Sequence, residues 1–350
     1  KMARQFKNEF IANNVVFPSL DFIIVDNSFV LSSISMKINY LEDIYSYNIK
    51  NDLEYSNVEI SYEFDEIKIS NENLTKPTNN FSSLKFSDID INIPVNSKNK
   101  FRYALIIGNE DYSSFQSNLN SEQNVPFAIN DARIFKQYAL KTLGVKSENC
   151  FYIENATKGQ IQQYIDLICK IVSKEKSKTE LIFYYSGHGY PDETSKTPYL
   201  VPVDISASTI KNAISMESIY EKFQKSGANR IYCFVDACFS GGSRGNDLLV
   251  TRGIRINPKK INISDNIIVM TASSDDQTAL SYNEKMHGIF TYFLLKKLQL
   301  TKGKVKFGDL FSFVKENVSV FSLKINYKEQ DPKILLGSSI QNKWQDWQLY

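Results

Sequence analysis

The first hundred residues are patterned in short runs that alternate apolar and polar positions. The clearest runs are residues 58–64 (VEISYEF), 67–70 and 89–93 (IDINI), and such alternation predicts half-buried β-strands. A polar, turn-prone stretch at residues 71–80 separates two of them. We therefore predict that residues 1–98 form a small, mostly β domain. It contains neither His nor Cys, so we interpret it as an accessory or docking module.

From residue 101 onward, continuous apolar runs alternate with helical periodicity. Runs such as residues 103–108 (YALIIG) are typical of buried parallel strands. The predicted strands are residues 103–108, 150–153, 181–186, 231–236, 267–272 and 333–336, and the predicted helices are residues 130–143, 158–174, 216–225, 287–300 and 308–318. This order predicts an α/β fold over residues 101–338, with a mostly parallel sheet, helices on both faces and a tail at residues 339–350.

Composition and charge narrow the function classes. The chain has 350 residues, of which 42% are hydrophobic, and 41 basic residues nearly balance 39 acidic ones to give a net charge of +2. This balance argues against nucleic acid or an anionic membrane as the main partner. No apolar run is long enough to span a bilayer, and the first ten residues lack the pattern of a signal peptide. The compartment stays open, with the cytoplasm slightly favoured.

Two strand ends carry the residues that suggest catalysis. One reads Ser-Gly-His-Gly around His188, and the other reads Asp-Ala-Cys-Phe-Ser-Gly-Gly around Cys238. In a parallel sheet these ends share one edge, where ligands bind. A lone His is more often structural, and a free Cys is more often a small buried hydrophobe. Here glycines flank His188, and Cys238 follows its strand, so a thiol and a base meet at a cleft. The amides of Gly189 and Cys238 are the candidate oxyanion donors.

These motifs resemble the caspase-like cysteine peptidases, and within them the bacterial metacaspase-like (orthocaspase) branch. The resemblance implies an α/β/α sandwich that hydrolyses peptide bonds with a His188/Cys238 dyad. The spacing of 50 residues between the two matches the ~50 residues known for caspases. The segments that carry the resemblance are RYALIIGNEDY (102–112), NDA (130–132), YYSGHG (184–189), DACFSGG (236–242), TASSDDQTA (271–279) and HGIFTY (287–292).

The resemblance also implies a substrate pocket. In that branch an Asp two residues before the Cys and the Asp of Asn-Asp-Ala line it, which are Asp236 and Asp131 here. Two carboxylates favour a cation between them, so we expect Arg, or Lys, before the scissile bond. The alternatives are that Asp131 caps a helix and that Asp236 binds backbone amides. Ser273 and Ser274 resemble residues that pair with substrate backbone, whereas His287 is interpreted as structural.

A long stretch without helix or strand pattern, residues 241–266, follows the nucleophile. Structureless connections of this length tend to be functional or disordered, and the alternative is an ordinary solvated surface loop. Caspase-like enzymes often mature by cleavage in this region. We therefore predict self-cleavage within residues 244–260. The candidate sites are Arg244, Arg252, Arg255, Lys259 and Lys260.

The sequence also allows expectations about metals, partners and alternative functions. Asp275 and Asp276 are too few oxygen ligands for a calcium site, so no obligatory metal or cofactor is predicted, although calcium dependence stays open. The expected partners are protein or peptide substrates with basic residues, plus a docking partner on residues 1–98. One alternative is a catalytically silent module that uses this fold for binding. A nucleotide-binding domain is set aside, because the first buried strand is followed by neither G-x-G-x-x-G nor a P-loop.

Overall fold

The chain divides into two compact units, Lys1–Phe81 and Ser82–Tyr350. The computed structural model describes residues 15–25, 28–40, 43–50, 87–239, 258–259, 261–274, 277–341 and 343–350. In the first unit, strands β1 (Val15–Val25), β2 (Ser28–Tyr40) and β3 (Asp43–Lys50) form an antiparallel sheet in that order. The strands predicted at residues 58–64 and 67–70 lie outside the described residues.

Residues 87–96 pack with the second unit, ahead of the expected boundary near residue 98, and we call them the strap. The strand predicted at residues 89–93 is wrong, because this segment forms turns. The Ser87 amide donates to the Asp90 carboxylate at 3.1 Å, which closes a turn. Ile89 is fully buried, and its carbonyl accepts the Tyr138 hydroxyl at 2.9 Å. The strap therefore hydrogen-bonds to a helix rather than pairing in a sheet.

The second unit is built on a six-stranded sheet with the order β14-β11-β10-β6-β4-β5. All neighbouring pairs are parallel except β14 with β11, which confirms the mostly parallel sheet. The strands are β4 (Arg102–Gly108), β5 (Cys150–Glu154), β6 (Glu180–Ser186), β7 (Gly189–Pro191), β8 (Pro198–Leu200), β9 (Ile214–Ser215), β10 (Arg230–Asp236), β11 (Ile267–Thr271), β12 (Ser281–Tyr282), β13 (His287–Gly288) and β14 (Lys333–Leu336).

Helices cover both faces of this sheet, as the sequence predicts. They are α1 (Ala128–Lys141), α2 (Lys158–Glu175), α3 (Met216–Lys225), α4 (Ile289–Leu300) and α5 (Phe307–Asn326). Short 3₁₀ turns lie at Ser121–Gln123, Ser147–Asn149, Lys176–Lys178, Ala207–Asn212, Asn283–Lys285, Ser338–Ile340 and Trp344–Asp346. Successive strand residues point to opposite faces. Ala104 and Ile106 therefore join the core under α1, α4 and α5, whereas Leu105 and Ile107 join the core under α2 and α3.

The largest departure from the predicted elements is the length of α5. The pattern predicts residues 308–318, whereas the helix continues to Asn326 and ends with Tyr327 in the left-handed conformation. Phe321 and Ile325 are partly buried against the core, so tertiary packing extends a segment whose own pattern is weak. The tail packs on this region as well, where the Trp344 ring contacts Phe307 and Phe311.

Candidate active site

The carboxyl ends of β6 and β10 bring the two predicted catalytic residues together. The strands are parallel neighbours with Ser186 opposite Asp236, and the Gly187 amide donates to the Asp236 carbonyl at 3.2 Å. His188 and Cys238 each lie two positions beyond this pair and therefore leave the sheet side by side. A Cβ on Gly189 would lie 2.7 Å from the Cys238 carbonyl oxygen, so glycine is required for this close approach.

Four neighbours hold His188, and one of them is Val201, whose amide donates to the His188 carbonyl at 3.0 Å. Its amide donates to the Tyr112 hydroxyl at 2.9 Å, and its carbonyl accepts the Tyr185 hydroxyl at 2.8 Å. The ring stands 4.5 Å from the Tyr112 ring, and Nε2 lies 2.6 Å from the Gln123 carbonyl oxygen. Because a carbonyl only accepts hydrogen bonds, Nε2 carries the hydrogen and Nδ1 keeps its lone pair.

Burial lowers the pKa of His188 to about 4, although the hydrogen bond to the Gln123 carbonyl partly offsets this. The side chain is 2% exposed, and desolvation disfavours the charged imidazolium. At neutral pH His188 is therefore neutral, which is the form that takes up a proton from a thiol.

The loop before α1 places the Gln123 carbonyl. The Asn120 amide donates to the Gln123 side-chain oxygen at 3.0 Å, which forms half of a capping box at Ser121–Gln123. The Asn124 side-chain oxygen accepts the amides of Tyr112 and Ser113 at 2.9 and 3.0 Å. Sequence reasoning missed Gln123 and Tyr112, although the Asn-x-x-Gln pattern of the capping box is visible in the chain.

Cys238 follows β10 and is 3% exposed. Its Sγ accepts the Ala279 amide N–H at 2.7 Å, from the segment that follows β11. The other three cysteines do not lie at the strand ends that carry His188 and Cys238. Cys233 is buried in the middle of β10, and Cys150 and Cys169 are half-buried thiols whose pKa values burial raises to about 11. They fit the interpretation of ordinary buried thiols.

Asp131 is fully buried and faces a histidine rather than its own helix. Its carboxylate lies 2.8 Å from His287 Nδ1 and accepts the Gly288 amide at 3.1 Å. On the other side, His287 Nε2 lies 2.8 Å from the carboxylate of Asp90 in the strap. Helix α1 is instead capped by Glu110, which accepts the Ile129 amide at 3.0 Å. The alternative of a helix-capping Asp131 is therefore wrong.

The Asp90–His287–Asp131 cluster changes the charge of this region. Burial alone would lower the pKa of His287, but hydrogen bonds and charge attraction from Asp131 and Asp90 outweigh it and raise the pKa to about 9. His287 is thus a buried cation at neutral pH, with a structural role that orients Asp131.

Asp236 reaches the same place from β10. Its carboxylate accepts the Thr291 hydroxyl at 2.6 Å and the Thr291 amide at 3.3 Å. The Ser186 hydroxyl donates to Asp131 at 3.4 Å, so both predicted pocket carboxylates lie beside Ser186. Both also bind amides at the start of α4, where the helix dipole favours negative charge. A substrate cation is therefore not the only group that can compensate them.

A family model described as the caspase domain matches residues 101–340, which is well over half of the chain. The chain belongs to the caspase-like cysteine peptidase family.

Relatives of this caspase-like chain are distant. A protein named "Probable protease" from a Desulfuromonadales bacterium is 29% identical over 195 residues, which cover 51% of this chain and 23% of that protein. The chain thus spans about a quarter of that relative's length. Among solved structures, protein GSU0716 from Geobacter sulfurreducens aligns with a TM-score of 0.51 and 16% identity, over 71% of this chain and 98% of that one. Caspase-1 from Spodoptera frugiperda aligns at 0.49 and 16%, over 70% and 90%.

The structure describes only some of the remaining predicted site residues. Ser273 and Ser274 are buried just after β11, and no described residue bonds to the Ser273 hydroxyl. Lys259 is paired with Glu217 at 2.8 Å. Six predicted residues lie outside the described part of the chain: Arg244, Arg252, Arg255, Lys260, Asp275 and Asp276.

The described residues contain neither a metal-binding cluster nor a membrane-spanning helix. Among them, no three or more His, Cys, Asp or Glu side chains gather in a way that could bind a metal ion. No described helix combines the length and apolar character that crossing a bilayer requires.

Proposed function

We propose that this chain is a cysteine endopeptidase in which Cys238 is the nucleophile and His188 is the general acid and base. The observation that supports this most is the register of β6 and β10, which carries both residues off one sheet edge at equal distance from the paired Ser186 and Asp236. The Gln123 carbonyl adds to it, because it holds Nε2 and leaves the Nδ1 lone pair for the thiol.

The proposed reaction has two stages, acylation and deacylation, and in each of them His188 first accepts a proton and then donates it. Nδ1 takes the thiol proton as Cys238 Sγ bonds to the carbonyl carbon of the scissile peptide, and the oxyanion meets the amides of Gly189 and Cys238. The imidazolium then gives that proton to the leaving amine, and the C–N bond breaks to leave a thioester. Water then attacks the thioester carbon while Nδ1 takes its proton. The C–S bond breaks to release the carboxyl product, and the imidazolium returns the proton to Cys238, which restores the thiol.

Variants at the dyad test this proposal. Cys238→Ala and His188→Ala should each lower the turnover of fluorogenic peptides by at least about a thousandfold, while circular dichroism and thermal unfolding stay close to wild type. Cys233→Ala is the matched control, because this thiol is buried in β10 and takes no part in the reaction. Turnover by Cys238→Ala near the wild-type level would refute the nucleophile.

We further propose cleavage after Arg or Lys, as in the metacaspase-like branch. Asp131 and Asp236 lie beside the same Ser186, so a guanidinium or ammonium group entering there meets two carboxylates. Arg is favoured over Lys because its planar fork can bind a carboxylate through two hydrogen bonds.

A set of peptides that differ only in the residue before the scissile bond tests this specificity. We expect kcat/KM to fall in the order Arg, Lys, then Leu and Asp. Asp236→Asn should lower kcat/KM for Arg peptides by about tenfold to a hundredfold. Asp309→Asn is the control, because Asp309 is an exposed carboxylate in the first turn of another helix, α5. Preference for Asp or Leu in wild type would overturn the basic pocket.

Self-cleavage between residues 244 and 260 is also proposed. Among the candidates, Lys259 lies within the described residues: its ammonium is paired with Glu217 at 2.8 Å, and its amide donates to the Lys196 carbonyl at 2.7 Å. Incubating wild type beside Cys238→Ala and mapping new termini by mass spectrometry tests this. We expect termini after an Arg rather than after Lys259, and only in wild type. A fully active chain that stays intact would contradict it.

A catalytically silent binding module is the second candidate, because both reactive side chains are buried, at 2% and 3% exposure for His188 and Cys238. The peptide assay separates the two functions. No turnover of any peptide by wild type, with the thiol unreactive towards alkylating agents, would favour the silent module.

A further inference from the structure

The segment between β11 and β12, residues 272–280, touches the thiol of Cys238. The Ala279 amide N–H donates to Cys238 Sγ at 2.7 Å. This segment also contains Ser273 and Ser274, which are predicted to contact substrate. Loop residues keep one position only where other groups hold them. The groups that hold the residues around Ala279 therefore determine how much of the time its N–H points at the Cys238 sulfur.

Gln330 joins the two ends of this segment. Its side-chain nitrogen donates to the Ala272 carbonyl at 3.0 Å, and its side-chain oxygen accepts the Leu280 amide at 2.9 Å. The residue is fully buried, and its own amide donates to the Ser322 hydroxyl on α5 at 3.1 Å. One amide side chain thus fixes both ends of the segment and anchors them to a helix.

The next residue, Asp331, provides a second attachment. The Gln277 side chain donates to the Asp331 carboxylate at 2.7 Å, and the Asp331 amide returns a hydrogen bond to the Gln277 side chain at 2.6 Å. Asp331 also accepts the Ser319 hydroxyl of α5. The described residues of the segment are therefore tied to α5 through two adjacent residues, and of these two Gln330 bonds closer to Ala279. The Leu280 carbonyl also accepts the Ile289 amide at 2.9 Å, so Gln330 shares the task of holding Leu280.

We propose that Gln330 is a positioning residue for Cys238: it holds Leu280, and with it the Ala279 N–H that donates to the thiol sulfur. A hydrogen bond to sulfur favours the thiolate over the thiol, because it stabilises the charged form. Gln330 touches neither the thiol nor the peptide. This inference rests on the proposed role of Cys238, but its effect on the thiol is measurable without turnover.

Alkylation by iodoacetamide across a range of pH measures this effect. The full-length chain is alkylated, and the Cys238 peptide is quantified by mass spectrometry against the Cys169 peptide of the same sample. We expect Gln330→Met, which keeps the volume and loses the polar ends, to move the pH midpoint of Cys238 alkylation upward by about one unit. The rate at pH 7 should fall about tenfold. Asp331→Ala should move it in the same direction by less.

Asn149→Leu is the matched control. Asn149 is also buried, and its side chain donates to the carbonyls of Lys100 and Arg102 at 3.0 and 3.2 Å, at the opposite end of β4 from the site. It should lower stability without moving the midpoint.

The outcomes separate the two proposals. If Gln330→Met does not fold, Asp331→Ala carries the test. An unchanged midpoint in the folded variants, or one that moves downward, would overturn the positioning role. Faster alkylation at an unchanged midpoint would overturn it too, and would identify the segment as a cover. Turnover by Cys238→Ala near the wild-type level would refute Cys238 as the nucleophile and leave the alkylation result intact.

Discussion

His287 should make the stability of the caspase-like unit fall as pH rises from 6.5 to 9. In the folded chain its pKa is raised from the ordinary 6.5 to about 9 by Asp131 and Asp90, so the folded state holds a proton that the unfolded state releases first. The contribution is complete below pH 6.5 and is lost as pH rises through 9. At about 1.4 kcal/mol per pH unit, it amounts to about 3 kcal/mol.

His287→Gln removes this contribution, because the Gln side chain is neutral at every pH in this range. The variant should be less stable at pH 6.5 by about 3 kcal/mol or more, because two buried carboxylates lose their shared cation. Its unfolding free energy should change little between pH 6.5 and 9 on this account. His188 does not interfere, because its lowered pKa costs stability only below pH 6.5.

Urea unfolding followed by tryptophan fluorescence is the assay. The chain has two tryptophans, Trp344 and Trp347, and both lie in the Ser82–Tyr350 unit, so the signal reports that unit alone. A Cys238→Ala background prevents self-digestion. Cysteine ionisation in the unfolded chain adds a slope of the same sign near pH 9, so the difference between wild type and His287→Gln is the quantity of interest. Parallel pH profiles for the two proteins would refute the reasoning.

Two further predictions concern packing and the His188 surroundings. Gly108→Ala should lower the unfolding free energy by about 1–3 kcal/mol, because the added Cβ would lie 2.7 Å from the α1 backbone. Gly159→Ala is the control: an added Cβ there has nothing within 4 Å, so this variant should be neutral or more stable by up to about 1 kcal/mol. Equal melting temperatures for the two variants would contradict this prediction. Tyr112→Phe should lower kcat for Arg peptides about tenfold with little change in KM, because the His188 amide loses its hydrogen-bond acceptor. An unchanged kcat would show that the Tyr112 hydroxyl is dispensable.

The sequence by itself determined the α/β layout and the edge at which the candidate residues meet. Continuous apolar runs alternating with helical periodicity specify buried parallel strands, and parallel strands end on one edge. The glycines around His188 and the position of Cys238 after its strand were therefore enough to predict neighbours across 50 residues. Strand bounds came within one or two residues for β4, β6 and β10, because burial on both faces leaves a strong pattern.

Only the tertiary structure decided how these residues are held. Alternation at residues 89–93 looked like a strand, yet Ile89 is buried against helices, because packing supplies a partner that local pattern does not show. Asp131 meets His287 across 156 residues, which no spacing rule anticipates. The Gln123 carbonyl on His188 and the Ala279 amide on Cys238 are backbone groups. Every residue carries a carbonyl, and all but proline carry an N–H, so residue identity cannot mark which ones act, and only the folded chain directs them.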